Sequence, residues 1–196
     1  MFDSASFNIL FVCHANICRS PMAEFLARYA IADSFGPGGG ALRVWSAGTH
    51  ADEGGPVHPG TVQVLAERGI AVEGSTSRPV TAPMLAAADL VLAAGRPQRA
   101  ACVALEPRVL RRTFTLRQFA RIAGAMPAVA PRGGAAGHRF RTLLEELPGW
   151  RHHLQPVSAD EDDLADPVRR PIEAFRTCAT AIERDLYTIL SAVARL

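Results

Sequence analysis

A cysteine and an arginine six positions apart are the residues of this sequence whose types and spacing could do chemistry together. They bound the stretch Cys13-His14-Ala15-Asn16-Ile17-Cys18-Arg19. A cysteine thiolate is a strong nucleophile, and an arginine guanidinium can hold two oxygens of one phosphate. The loop contains no acidic residue and no proline, so its backbone N–H groups are free to surround an anion. The stretch therefore predicts a nucleophilic sulfur inside an oxyanion-binding loop.

The spacing alone is a weak signal, because all 21 basic residues among the 196 are arginines. Cys102 with Arg108 and Cys178 with Arg184 have the same spacing. Both pairs lie in sequence of helical pattern, where residues six apart do not converge on one small ion. We interpret these two pairs as chance matches, and the elements around Cys13 distinguish it from them.

A buried strand and a helix flank the Cys13 loop. Residues 7–12 form a nearly continuous apolar run, which is typical of a strand buried on both faces of a parallel sheet. Ser20 and Pro21 have the pattern of a helix N-cap and a first helical residue. An apolar helix face follows, made of Met22, Phe25, Leu26 and Tyr29. Ligands bind where such strands end in α/β sheets, and the helix N-terminus, the loop amides and Arg19 favour a thiolate at Cys13.

Strand and helix patterns alternate along the rest of the chain, which predicts an α/β fold with parallel strands. Further strands are predicted at 42–47, 90–92 and 113–114, and helices at 59–68, 98–105, 115–122 and 139–147. The second helix is predicted to turn Val62, Leu65 and Ala66 inward. The last helix has an apolar stripe of Ile172, Phe175, Ala179, Ile182, Leu186, Ile189 and Val193.

The predicted architecture is a single domain over residues 1–196. It consists of a four-stranded parallel sheet flanked by helices, with the anion-binding loop between the first strand and the first helix. Segment 122–159, which is rich in glycine, alanine and proline, is predicted to be an insertion or a flexible loop.

Composition excludes several classes of protein. The chain is 48% hydrophobic and 20% charged, which excludes a disordered chain, and no apolar run is long enough to span a membrane. The net charge of +2 gives no indication of a nucleic-acid partner, and the arginines at Arg111, Arg112, Arg117 and Arg121 are interpreted as a helix surface. Four cysteines and no secretory signal pattern predict free thiols and a cytoplasmic location. The oligomeric state stays open.

Attack of a thiolate on a phosphoester also requires an acid for the departing oxygen and a base for water. The candidates are Asp160, Asp162, Asp163 and Asp166. Asp166 is favoured because Pro167 stiffens its loop and the last helix begins shortly afterwards. The alternative for each of them is a solvated loop residue or a helix cap.

These residues resemble the low-molecular-weight protein tyrosine phosphatase family. The matching stretches are Val12 to Glu24, Ser46-Ala47-Gly48-Thr49 and Asp166-Pro167. The resemblance covers residues 7–121 and 160 onward, and segment 122–159 is an insertion relative to shorter members.

The resemblance implies phosphomonoester hydrolysis on protein phosphotyrosine, without metal or cofactor. In it, Cys13 attacks phosphorus and forms a phosphocysteine, Arg19 holds the phosphoryl group, and Asp166 protonates the phenolate and then activates water. The implied loop ligands are His14, Ala15, Asn16, Ile17, Cys18 and Ser20. Among these, Ser20 hydrogen-bonds the thiolate and Asn16 braces the loop. The implied partner is a phosphorylated protein, including substrates of a bacterial tyrosine kinase.

The sequence departs from the family pattern near the cleft. Ala15 replaces a glycine, which predicts either a different loop conformation or strain at positive φ. Val168 replaces an aromatic residue, Ala94-Gly95 replaces Met-Asp, and His50 and Asp52 occupy a rim where an aromatic residue is usual. Ile17 is typical of tyrosine-directed members, whereas relatives that act on phosphoarginine resemble threonine-bearing versions.

Three alternatives remain at this stage. A thiol-dependent arsenate reductase shares the scaffold but needs two further closely spaced cysteines. A phosphoprotein-binding module would keep the anion loop without turnover. A zinc site could use Cys13 and Cys18, but no second pair of ligands follows. The histidines His152 and His153 are adjacent to each other and are interpreted as a solvated pair. Cys18 itself is either a resolving thiol for Cys13 or a small loop residue.

Overall fold

A four-stranded parallel sheet with strand order β2-β1-β3-β4 forms the centre of the described chain. The computed structural model describes residues 6–127, 134–150 and 155–196. The strands are β1 (Phe7–Cys13), β2 (Leu42–Gly48), β3 (Leu90–Ala93) and β4 (Thr113–Thr115). The four-stranded parallel sheet predicted from the sequence is confirmed.

Helices cover the sheet, and half of those in the described part of the chain come directly after a strand. They are α1 (Arg19–Phe35), α2 (Pro59–Ala66), α3 (Ala82–Ala87), α4 (Arg96–Leu105), α5 (Leu116–Ala125), α6 (Ala136–Trp150), α7 (Ala159–Asp162) and α8 (Ile172–Ala194). Two 3-10 helices, Gly36–Ala41 and Pro107–Arg112, precede β2 and β4. No helix among the described residues is long and apolar enough to cross a membrane.

Strand β1 is buried along its whole length, because it lies between β2 and β3 and helices cover both faces. Side chains alternate along a strand, and here Ile9, Phe11 and Cys13 belong to one buried cluster while Leu10 and Val12 belong to another. The predicted doubly buried strand is confirmed. Its last residue is therefore fixed by packing on both sides of the sheet.

Helix α8 packs against α1 and α5 through the predicted stripe. Phe175, Ala179, Ile182, Leu186, Ile189 and Val193 are all buried, and Ile172 is half-buried at the start of the helix. Helix α5 is capped by Thr115, whose Oγ1 accepts a hydrogen bond from Gln118 N at 3.0 Å. These elements hold the segment before α8 next to the carboxyl ends of the strands.

Several local predictions were wrong. Ser20 is not the N-cap of α1, since the helix begins at Arg19 and the Ser20 hydroxyl is directed to Cys13 instead. Tyr29 is exposed, because only the first half of α1 is enclosed on all sides and Tyr29 lies beyond it. Val62 and Ala66 are exposed, and α2 buries Thr61, Val64 and Leu65, because this short helix carries apolar residues on two faces.

The segment predicted as an insertion contains a helix. Phe140, Leu143 and Leu147 of α6 are buried in the main cluster. Parts of the predicted loop, at 128–133, and the His152-His153 pair lie outside the described residues. The run predicted as an acidic loop begins as α7, which Ser158 and Glu161 cap reciprocally. A capping box and three acidic residues in the first turn favour this helical turn.

Candidate active site

The sulfur of Cys13 lies at the end of β1 with two hydrogen-bond donors against it. The residue is only 2% exposed. Ser20 Oγ donates to Cys13 Sγ at 3.0 Å, and the backbone N–H of Asn16 donates at 3.3 Å. Donors directed at a sulfur favour its charged form over its neutral form. The arrangement suits a thiolate nucleophile.

Asn16 ties the loop to two neighbouring segments. Its φ of +54° lies in the left-handed region, which asparagine tolerates better than most residues. Its Nδ2 donates to Ser20 Oγ and to Ser46 Oγ, each at 2.9 Å, and its Oδ1 accepts from Arg78 N at 3.0 Å. The side chain is buried, so this network fixes the loop beside Cys13.

The network continues behind the loop to an ion pair whose carboxylate is buried. Ser46 Oγ donates to Glu24 Oε2 at 2.6 Å, and the other carboxylate oxygen of Glu24 pairs with Arg28. Sequence reasoning assigned no role to Ser46, Glu24 or Arg78. The first two lie within the stretches that resemble the phosphatase family, but their contacts cross between elements distant in sequence.

The expected strain at Ala15 is not present. Its φ is not positive, and Asn16 takes the left-handed conformation instead. Glycine is required at a different position, Gly48 at the end of β2. A Cβ added there would lie 2.6 Å from the carbonyl oxygen of His14 and 2.8 Å from Asn16 N. The close approach of β2 to the loop therefore depends on a glycine that sequence reasoning placed only in a matching stretch.

The middle of the loop is held by α2. The carbonyl oxygen of Ile17 accepts from His58 N at 3.0 Å and from Thr61 Oγ1 at 3.3 Å. Burial raises the pKa of the Cys18 thiol to about 12, against a smaller lowering by its hydrogen bond with Thr61. Cys18 is therefore a neutral thiol at physiological pH, and Cys13 and Cys18 are both free cysteines.

Two stacked imidazole rings lie on the outer surface, one of them on the residue that follows Cys13. His14 is exposed, and its ring stacks on that of His50 with a centroid distance of 4.4 Å. His50 N donates to His14 O at 2.8 Å, and Thr49 Oγ1 lies 2.9 Å from His50 Nδ1. The rim that lacks an aromatic residue in the sequence is thus formed by a pair of stacked imidazoles.

Arg19 connects the loop to the segment that carries Asp166. Its Nη1 donates to the carbonyl oxygen of Leu164 at 3.2 Å, and its Nη2 pairs with Asp166 Oδ2. The Nε of Arg19 is buried and has no hydrogen-bond partner in the described part of the chain. Buried donors are usually satisfied, so this N–H is available to an oxyanion.

Asp166 is the acidic candidate that reaches the loop. Its side chain is 39% exposed, its Oδ2 contacts Arg19, and its Oδ1 accepts from Val168 N at 3.2 Å. The structure places the other three acidic candidates elsewhere. Asp160 is exposed on α7, and Asp162 and Asp163 have partners on other helices.

The two chance matches are confirmed as such. Arg108 binds the carboxylate of Glu106 through Nε at 2.8 Å and Nη2 at 2.9 Å. Arg184 pairs with Asp185 at 3.3 Å. Cys102 and Cys178 are buried in helices, so neither cysteine belongs to a loop that could bind an anion.

The family model for the low molecular weight phosphotyrosine protein phosphatases matches residues 8–148 of this chain. The chain belongs to that family. Members with similar sequences include the probable low molecular weight protein-tyrosine-phosphatase EpsP of Ralstonia solanacearum, 38% identical over 111 residues, which are 57% of this chain and 71% of that protein. The protein-arginine-phosphatase of Bacillus subtilis is 36% identical over 143 residues, 71% of this chain and 91% of that protein.

Solved structures of family members agree with the fold. The YwlE arginine phosphatase from Geobacillus stearothermophilus superposes with a TM-score of 0.67 at 26% identity, covering 94% of this chain and 91% of that one. The family resemblance, the fold class and the assignment as a cysteine-based phosphatase, made from the sequence, are confirmed. The extent of the insertion at 122–159 and the roles of single site residues stay predictions.

Proposed function

We propose that Cys13 attacks the phosphorus of a protein phosphotyrosine and forms a phosphocysteine, without metal or cofactor. The S–P bond forms as the bond to the phenolic oxygen breaks, and Asp166 gives that oxygen its proton. Water then attacks the phosphocysteine, Asp166 takes a proton from it, and phosphate leaves as the Cys13 thiolate returns. The observation that carries the proposal is the Cys13 sulfur, held by Ser20 and Asn16 in the loop that ends at Arg19.

The donor set of the loop supports this chemistry. A phosphoryl group in transfer spreads negative charge over its equatorial oxygens, and preorganised donors there lower the barrier. Arg19 supplies a buried N–H without a partner and a planar fork. A related structure at 25% identity is an arginine phosphatase variant with a phosphorylated active-site serine, which supports a covalent phosphoenzyme.

The proposed place of action is the cytoplasm, and the proposed substrates are proteins phosphorylated by a bacterial tyrosine kinase. The four cysteines are free thiols, and a reducing compartment keeps thiols in that state.

Replacing Asp166 by alanine is expected to slow hydrolysis according to the leaving group. Phenyl phosphate, whose phenolate leaves poorly, is expected to lose roughly 10²- to 10⁴-fold in kcat/KM, which reports the steps up to release of the phenolate, because general acid catalysis is worth about that much. Dinitrophenyl phosphate needs little protonation and is expected to lose less than about tenfold.

Asp160→Ala is the matched control, since Asp160 is an exposed carboxylate of the same acidic run. The kcat/KM values of the wild type and of both variants are measured with both esters. Equal losses on the two esters for Asp166→Ala would contradict its assignment as the acid.

Phosphoarginine is the second candidate substrate, because the B. subtilis relative named a protein-arginine-phosphatase aligns over 91% of its length. Ile17 supports phosphotyrosine instead. Its side chain packs against the apolar core and offers no hydrogen-bond group, whereas phosphoarginine presents a polar guanidinium that such a group could recognise.

Initial rates on one peptide carrying phosphotyrosine and one carrying phosphoarginine distinguish the two substrates. The wild type is expected to prefer phosphotyrosine, and Ile17→Thr is expected to raise the relative rate on phosphoarginine by about tenfold or more. Val62 is an exposed apolar residue of α2, so Val62→Thr serves as the control for the same kind of substitution. Faster wild-type turnover of phosphoarginine would reverse the assignment.

Two of the three alternatives from the sequence, the reductase and the binding module, differ from this proposal in observable ways. A reductase relay would need two further, closely spaced cysteines near Cys13. Cys102 belongs to the buried cluster on the other face of the sheet. Cys18 and Cys178 share the cluster of Cys13, but burial raises the pKa of each thiol to about 12, which leaves both poor nucleophiles for a relay. A binding module would hold phosphopeptide without releasing phosphate. Membership of an enzyme family favours turnover, which phosphate release measures directly.

A further inference from the structure

The segment that carries Asp166 is anchored two residues earlier, at Leu164. Leu164 N donates to Ala94 O, just beyond β3, at 2.8 Å. Leu164 O accepts from Arg19 Nη1 at 3.2 Å, and the side chain is buried. The chain is thus held between the sheet and the phosphoryl-binding arginine directly before the proposed acid.

The residue before this anchor supplies the cap of a helix distant in sequence. Helix α4 begins at Arg96, and its N-cap residue, Gly95, has no side chain to offer. Asp163 Oδ1 accepts from Arg96 N at 2.7 Å. A carboxylate at a helix N-terminus is favourable both as a hydrogen-bond acceptor and as a charge against the helix dipole. The cap of α4 therefore comes from the segment of the acid.

Gly95 provides the room in which this carboxylate lies. A Cβ added at Gly95 would lie 2.8 Å from Asp163 Cγ and 2.9 Å from its Oδ1. The backbone of Gly95 has φ of −167° and ψ of 175°, an extended conformation that other residues adopt. The glycine is therefore needed for its missing side chain and not for its conformation.

The neighbouring acidic residue is fixed separately. Asp162 pairs with Arg121 and accepts from Arg96 Nε at 2.8 Å. Arg117 Nη1 donates to the carbonyl oxygen of Asp163 at 3.3 Å. These contacts hold α7 and the backbone up to Asp163. The position of the backbone between Asp163 and Asp166 then depends on the Asp163 carboxylate and on the hydrogen bonds of Leu164.

We propose that Asp163 is a positioning residue for the general acid, and that Gly95 is the space that allows it to act. When the Asp163 carboxylate accepts a hydrogen bond from the first amide of α4, Leu164 pairs with the end of β3 and Asp166 reaches Arg19. Without that hydrogen bond, the segment loses one of its attachments to the sheet and Asp166 is less often in place. This inference rests on the proposed role of Asp166 as the acid.

The test uses the same two esters, because displacement of an acid matters only when the leaving group needs a proton. Asp163→Ala is expected to lower kcat/KM on phenyl phosphate on the order of 10- to 100-fold, since small misplacements of catalytic groups have effects of that size. The kcat/KM on dinitrophenyl phosphate is expected to change less than about threefold. Gly95→Ala is expected to reproduce this pattern, because its Cβ must displace the carboxylate. Asp163→Asn keeps an acceptor for Arg96 N and is expected to retain most of the activity.

A double variant separates positioning from general stabilisation. Asp163→Ala introduced into Asp166→Ala is expected to cause no further loss, because the acid that it positions is already absent. Asp160→Ala serves as the control, and thermal melting is recorded for every variant. Equal losses on both esters, or an additional loss in the Asp166→Ala background, would show that Asp163 only caps α4 and overturn the inference alone. An Asp166→Ala variant without leaving-group dependence would overturn the acid assignment and this inference with it.

Discussion

Replacing Cys13 by serine is expected to reduce hydrolysis of nitrophenyl phosphate by roughly 10⁴-fold or more, as removal of a catalytic nucleophile does in other enzymes. A hydroxyl is not ionised at neutral pH, so the two donors at this position would face a weak nucleophile. Serine keeps the size of the side chain and the hydrogen bonds with Ser20 and Asn16 N. The measurement is kcat, with thermal melting to show that the loop still folds.

Alkylation gives an independent measure of the same sulfur. Burial raises the pKa of Cys18, Cys102 and Cys178 to about 12 each, so at neutral pH only about 10⁻⁵ of each thiol is ionised. Iodoacetamide is therefore expected to label Cys13 alone and to abolish activity in proportion, and vanadate is expected to protect it. Cys102→Ala is the control, as a buried cysteine with an arginine six positions later. Full labelling of Cys13 with unchanged activity would refute the assignment of the nucleophile.

The parts of the site that are contiguous in sequence were predictable. The loop from Cys13 to Arg19 follows a buried strand and precedes a helix, and these elements are recognised from local apolar patterns alone. The same context identified Cys102 and Cys178 as chance matches, because an arginine six residues along a helix points elsewhere. The structure adds that each of those arginines, Arg108 and Arg184, is bound by a nearby carboxylate.

The parts that depend on contacts between distant segments were not predictable. Asn16 bonds to Ser46 and Arg78, 30 and 62 residues away, and no local pattern indicates such pairs. Position 48 requires a glycine because the loop that follows Cys13 approaches it closely. The sequence left a different loop conformation or strain at Ala15 as alternatives, and in the structure Asn16 takes the left-handed conformation instead. The choice between adjacent residues depends on how the loop closes, which spacing does not determine.

The difference from the family pattern at Gly95 can be interpreted only with the tertiary structure. In the sequence it is the absence of an acidic residue after the third strand. In the structure the carboxylate of Asp163, 67 residues from Arg96, lies against the helix start that follows Gly95. The carboxylate that the sequence lacks after the third strand is therefore supplied by the acidic run, and only the tertiary structure shows this.

Replacing Arg19 by lysine is expected to lower kcat/KM on nitrophenyl phosphate by roughly 10²- to 10³-fold, the effect of removing a preorganised donor from a developing oxyanion. Lysine keeps the positive charge but lacks the planar fork and presents its donors from a single atom. It also cannot reproduce the separate contacts of Arg19 with Leu164 O and Asp166. The loss is expected in binding of vanadate as well, because that anion uses the same donors.

The control for Arg19→Lys is Arg108→Lys, because Arg108 also stands six residues after a cysteine but is 83% exposed and bound to Glu106. That variant is expected to retain wild-type rates. If Arg19→Lys keeps its rate within about threefold, charge alone suffices and the fork has no role. If it loses turnover but binds vanadate as the wild type does, the guanidinium acts through Asp166 instead of on the phosphoryl oxygens. Only a parallel loss of both supports direct contact between Arg19 and the transferred group.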